Sequence, residues 1–173
     1  MSQTSKQVDW CLKKAQKEIE QCEKEGQSPK HRGLLKVKPD VKEAKEHIEK
    51  AEHDLKVTKY LVNGGFTDTS VGTIFYTMYQ CFLAIAAKFG YESGNQTCTI
   101  ALLEYLKEKG EININDKFLK YFKYEDGKTK ESVIEMREKY TYGTKKEADK
   151  SEIDFFIKEC IELLDVTREI IYE

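Results

Sequence analysis

The chain has 173 residues, with 29 Lys and Arg against 31 Asp and Glu and a formal net charge of −2. That length sets a single domain, and the near-neutral balance excludes a protein that coats nucleic acid over its whole surface. The longest apolar run, Cys81 to Ala87, is far short of the roughly 18 residues of a membrane span, and the start MSQTSKQVDW has no apolar signal-peptide core, so a cytoplasmic protein without membrane association is expected.

Cys11, Cys22, Cys81, Cys98 and Cys160 form an odd set with neither a CxxC pair nor zinc-ligand spacing. Cys11 and Cys22 lie on an apolar helical stripe and Cys81 in an apolar segment, where a thiol packs as a small hydrophobe. Reduced, structural cysteines are therefore expected.

Apolar residues at Val8, Cys11 or Leu12, Ala15, Ile19 and Cys22 predict a first helix stopped by Gly26. The following loop, Gln27 to Pro39, carries Lys30, His31, Arg32, Lys36 and Lys38 without an acid, and its Leu34, Leu35 and Val37 predict packing back onto the body. Asp40 with Glu43 forms a capping signature for a second helix, whose stripe runs from Val41 to Val62 and ends at Asn63-Gly64-Gly65. Asp68 to Phe89 is apolar almost all round, which predicts a central helix packed on several sides.

A fourth helix spans Thr99 to Lys109, and Asn115 caps a short one holding Phe118, Leu119 and Phe122, broken at Glu125-Asp126-Gly127. Lys130 to Tyr140 predicts a further helix before Gly143 and a polar loop, and Ser151 with Asp154 is expected to cap the last helix. Ile112-Asn113-Ile114 is the only strand-like alternation. The fold class is all-α, an antiparallel bundle of about five to six helices. Residues 1–39 form an N-terminal helix and basic loop, and residues 40–173 the bundle proper, within one domain.

Signals of chemistry are sparse. His47 and His53 lack the Glu-x-x-His pattern of a di-iron bundle and lie off the apolar stripe, so a solvated face is expected and no metal or other cofactor. Neither a nucleophile elbow nor a phosphate-binding glycine loop occurs. Two basic-aromatic clusters stand out, Lys117 to Tyr124 and Arg137, Lys139, Tyr140, Tyr142, Lys145 and Lys146. Cations neutralise phosphates and exposed tyrosines stack on unpaired bases, whereas half-buried aromatics with lysines snorkelling past them are the plainer alternative.

The order of segments resembles the HEPN-domain family of prokaryotic helical proteins. The pieces are the lead-in Arg32-Gly33-Leu34-Leu35, then Ala51, Asp54 and Leu55, the turn Gly65-Phe66, and a central helix with a core of Tyr76, Met78 and Tyr79. Gly90-Tyr91 follows, and Arg137 precedes Tyr142-Gly143 by five residues. The likeness runs from about Arg32 to Ile171.

The resemblance implies a HEPN-like bundle, similar to nucleotidyltransferase substrate-binding domains, that pairs as a homodimer. Active relatives are metal-independent ribonucleases, often toxins, in which Arg is followed four to six residues later by His. Here Arg137 is present with Tyr142 near the expected His, and no histidine follows His53. A phenol, with a reference pKa near 10, is a weak base at neutral pH.

The resemblance thus favours an RNA- or nucleotide-binding module or the partner of a minimal nucleotidyltransferase, within a toxin–antitoxin pair. Tyr140 and Tyr142 are then modification candidates, and Lys139, Lys145 and Lys146 are phosphate contacts. The alternative is a toxin-type ribonuclease with Arg137 and Tyr142 as its catalytic pair. The plainer roles are an ion pair from Arg137 to Glu135 or Glu138, and packing of Tyr142 at a helix end.

Overall fold

The computed structural model describes residues 2–124 and 131–173. Among them are seven helices, α1 (Gln3–Lys24), α2 (Val41–Asn63), α3 (Thr67–Lys88), α4 (Gln96–Glu108), α5 (Asp116–Lys120), α6 (Val133–Tyr142) and α7 (Lys150–Tyr172), with two short strands, β1 (Leu34–Lys36) and β2 (Tyr91–Ser93). The expected all-α bundle is present, and its seven helices exceed five to six once the short helix after Asn115 is counted as α5. The expected break at Glu125-Asp126-Gly127 and helix start at Lys130 lie outside the described residues.

Most helix starts follow the capping signals. Asp40 accepts from the Glu43 N–H at 2.9 Å, Asn115 accepts from Lys117 at 3.0 Å, and Ser132 with Glu135 closes a full capping box. The last helix begins earlier than expected. Asp149, not Ser151, is its cap and accepts from the Glu152 N–H at 2.9 Å. An ionised carboxylate is the stronger acceptor for the helix's unpaired N–H groups, and the Ser151 hydroxyl donates to it instead.

α3 is the central element and packs against α2, α4, α6, α7 and β2. It is long and apolar enough to cross a membrane, yet 67% of that apolar stretch is buried inside the bundle. Its interior hydroxyls are satisfied locally. Thr77 donates to the Thr73 carbonyl at 2.8 Å, and Thr58 of α2 donates to the Asp54 carbonyl and reaches Thr73 Oγ1 at 2.7 Å. Cys160 of α7 directs its thiol at the Ile74 carbonyl, 3.8 Å away.

The strands lie where alternation was too short to read. β1 pairs antiparallel with β2, Leu34 opposite Ser93 and Lys36 opposite Tyr91, while the short strand-like alternation at Ile112 to Ile114 is irregular chain with both isoleucines buried. Gly33 brings this ribbon against α1. A Cβ there would sit 2.3 Å from the Cys11 carbonyl oxygen and 2.7 Å from the Ala15 nitrogen, so no larger residue fits without moving backbone.

The cysteine expectation needs correction. Cys11 of α1 and Cys98 in the first turn of α4 are joined by a disulfide across a sequence separation of 87, with Cα atoms 5.9 Å apart. Each lies on its helix's core-facing stripe, and nothing in either neighbourhood marks the other as a partner. Cys22, Cys81 and Cys160 are free. Burial pushes the Cys81 thiol up to about 12 and raises Cys160 well above its ordinary value.

Thiol chemistry reads this arrangement directly. A thiol reagent applied to the native, unreduced protein should modify Cys22 alone, with Cys81 and Cys160 reacting only on unfolding and all five cysteines only after reduction. Closure of so long a loop stabilises a domain by typically about 2–4 kcal/mol, so reductant should lower the urea unfolding free energy by that amount. Five reactive thiols in the unreduced, unfolded chain would contradict the pairing.

Candidate functional site

α6 carries most of the candidate residues. After its Ser132–Glu135 box, Val133, Ile134 and Met136 are buried and fix the helix on α3. That docking aims Arg137 at the aromatic side of α3. Its guanidinium carbon lies 4.4 Å from the Phe75 ring centre and 5.8 Å from that of Tyr76. Phe75 is itself held by Phe122 of the segment after α5, ring centres 5.0 Å apart.

The guanidinium is thus seated by cation–π stacking and not by the ion pair that Glu135 or Glu138 would have provided. Both acids are engaged elsewhere. Glu135 accepts from the Ser132 N–H at 2.7 Å, and Glu138 accepts from the Tyr124 hydroxyl. Among the described residues no carboxylate lies within ion-pair distance of Arg137. Its N–H donors, a rigid planar fork suited to phosphate, are left for an outside acceptor.

The other candidates separate. Tyr142 is the last residue of α6 and 78% exposed. Five positions along a helix turn the side chain by roughly 140°, so Tyr142 and Arg137 leave α6 on different faces. Tyr140 packs half-buried against the core, with the Lys139 ammonium 5.4 Å from its ring centre. Lys139 also binds both oxygens of Glu131 at 3.0 Å, and that hydrogen bond raises its pKa. Lys145 and Lys146 are exposed on the loop after Gly143, upstream of the point where the Ala148 N–H donates to Thr67 Oγ1 at 2.9 Å.

The first basic-aromatic cluster is largely internal. Lys117 meets Glu159 and Glu162 at 3.0 and 2.7 Å, the Tyr121 hydroxyl donates to Glu159 at 2.9 Å, and Lys123 pairs with Glu104. These are packing and ion-pair roles, as the plainer reading of that cluster expects.

The histidines lie elsewhere. His47 is half-buried and within 2.6 Å of Gln80 of α3, not on the solvated face expected for it. His31 Nδ1 accepts from the Gly33 N–H at 3.3 Å, which leaves Nε2 to donate to Glu92 at 3.1 Å. His53 is exposed.

The sequence reading missed one residue. Tyr76 was counted in the core with Met78 and Tyr79, but it is 46% exposed whereas Met78 is fully buried. The signal was present in the spacing. Thr69, Gly72 or Thr73, Tyr76 and Gln80 recur at steps of three and four and interrupt the apolar surface of α3 on one side.

The Tyr124–Glu138 pair beside Arg137 offers a spectroscopic handle. The carboxylate that accepts from the Tyr124 hydroxyl pushes this phenol up to about 12, with burial adding to the shift and the charge of Arg137 opposing it. Glu138→Gln removes the anion, so Tyr124 should then ionise nearer 10 in an ultraviolet pH titration against a Tyr124→Phe reference. Arg137→Ala should move the same step upward.

With the geometry in place, comparison with known proteins adds one finding. The sequence profile of the HEPN domain matches residues 44–170, about three quarters of the chain. No curated protein matches it. The matched segment takes in most of α2, all of α3 to α6 and nearly all of α7, including the α3–α6 contact that seats Arg137. The chain belongs to the HEPN-domain family, the all-helical domain that its bundle already displays.

Proposed function

We propose that this chain is an RNA- or nucleotide-binding HEPN module that engages phosphate through Arg137 without cutting the strand. The observation that carries the reading is the seat of that guanidinium. It is stacked on Phe75, free of a carboxylate partner among the described residues, and held on a helix clamped to the core. A cation so placed costs little reorganisation when an anion arrives.

Chain cleavage needs a proton acceptor tuned near neutral pH. No histidine follows His53, and His31 and His47 are engaged with Glu92 and Gln80. In this reading two copies pair, which sets two Arg137 groups about a shared axis. A minimal nucleotidyltransferase, as in a toxin–antitoxin pair, is the protein partner, and Tyr142, far more exposed than Tyr140, is the hydroxyl it would modify.

The test is a pair of assays on purified protein with EDTA present. Labelled oligoribonucleotide should bind without being shortened. Arg137→Ala should weaken binding about 10- to 100-fold, as expected for loss of charge-assisted hydrogen bonds, and Arg137→Lys should recover only part. EDTA-resistant cleavage that Arg137→Ala and Tyr142→Phe both abolish would overturn this reading in favour of a ribonuclease using those two residues.

A further inference from the structure

The open stripe on α3 next to Arg137 has a shape of its own. Tyr76 presents nearly half of its surface to solvent from an otherwise buried helix, and among the described residues its hydroxyl has no hydrogen-bond partner. Its ring is braced edge-on by Phe75, centres 5.3 Å apart at 85°, so the side chain is supported from behind. One turn earlier stands Gly72, where an added Cβ would meet nothing within 4 Å. Glycine within a helix costs about 1 kcal/mol relative to alanine, and here neither a tight turn nor a close neighbour requires it. The outcome is uncovered backbone one turn from a supported aromatic ring, with a guanidinium beside it that has no carboxylate partner among the described residues.

We propose that Gly72 and Tyr76 form the seat of an unpaired nucleobase, whose adjoining phosphate is held by Arg137, so that the ligand is single-stranded RNA. This deepens the function proposed above and rests on it. A paired base has both faces covered by its neighbours in the stack and cannot lie on Tyr76, whereas an unpaired one exposes a π-face that any aromatic platform accepts. The missing side chain at position 72 lets the flat ring approach the helix. Arg137, 5.8 Å from the Tyr76 ring, is close enough to take the phosphate of the same nucleotide. A second copy of the chain is the competing occupant of this open surface, but a guanidinium with no carboxylate partner among the described residues favours a polyanion.

The experiment measures fluorescence anisotropy with a labelled single-stranded 12-mer oligoribonucleotide, the same strand annealed to its complement, and the same strand bearing abasic positions. Wild type should prefer the single strand to the duplex and to the abasic strand. Tyr76→Ala should lower single-strand affinity about 5- to 100-fold and erase the abasic difference, with Tyr76→Phe restoring both. Gly72→Leu should act like Tyr76→Ala.

Equal affinity for the intact and abasic strands in the wild type would overturn the proposal without any variant. Loss of binding in Arg137→Ala with unchanged binding in Tyr76→Ala would overturn it while the phosphate-binding function stood. Absence of binding to every strand would remove both. Dispersal of a dimer by Gly72→Leu with unchanged RNA affinity would assign this surface to a second copy and overturn the proposal.

Discussion

Twelve of the 22 residues of α3 are buried, and five other elements lean on them. On its packed sides such a helix is shielded from water, so its backbone is satisfied internally and its hydroxyls turn to carbonyls of the preceding turn, as those of Thr73 and Thr77 do. The same constraint limits where anything can bind. Among the described residues the more exposed side of α3 holds Tyr76 and receives Arg137. The candidate site is thus the gap in the packing of the central helix.

Electrostatics near α6 follows from competition among a few groups. Glu135 and Glu138 lie close to Arg137 in sequence, and a count of charges would cancel it. Each acid has a nearer task, Glu135 at the helix cap and Glu138 at the Tyr124 hydroxyl. What remains for the guanidinium is a flat aromatic ring, which stabilises the cation without occupying its donors. Lys139, two positions on, is the opposite case, with both oxygens of Glu131 on one ammonium. Two cations on the same short helix therefore differ in availability.

Much of the bundle was legible because helices announce themselves through period and punctuation. Asp40 and Asn115 start helices as expected, and Gly64 and Gly90 follow the ends of α2 and α3. The β1–β2 ribbon was not legible, since three residues contain no usable alternation and its partners are more than fifty positions apart. The disulfide was hidden for the same reason. Proximity of Cys11 and Cys98 is a tertiary fact, and both sit on stripes that read simply as apolar. Arg137 could be singled out from sequence, but its aromatic seat could not, because Phe75 belongs to another helix and Tyr76 was masked by its apolar neighbours.

The region that matches the family and the covalent framework of this chain have different edges. The match begins at residue 44, whereas one end of the disulfide is at residue 11, on a helix that also receives Gly33 against its backbone. Cys98 of α4 lies inside the matched region and is bonded to Cys11 of α1, which lies outside it. α1 is thereby held to the bundle by a covalent bond through α4 and by close backbone contact at Gly33, so the folded unit extends beyond the matched segment.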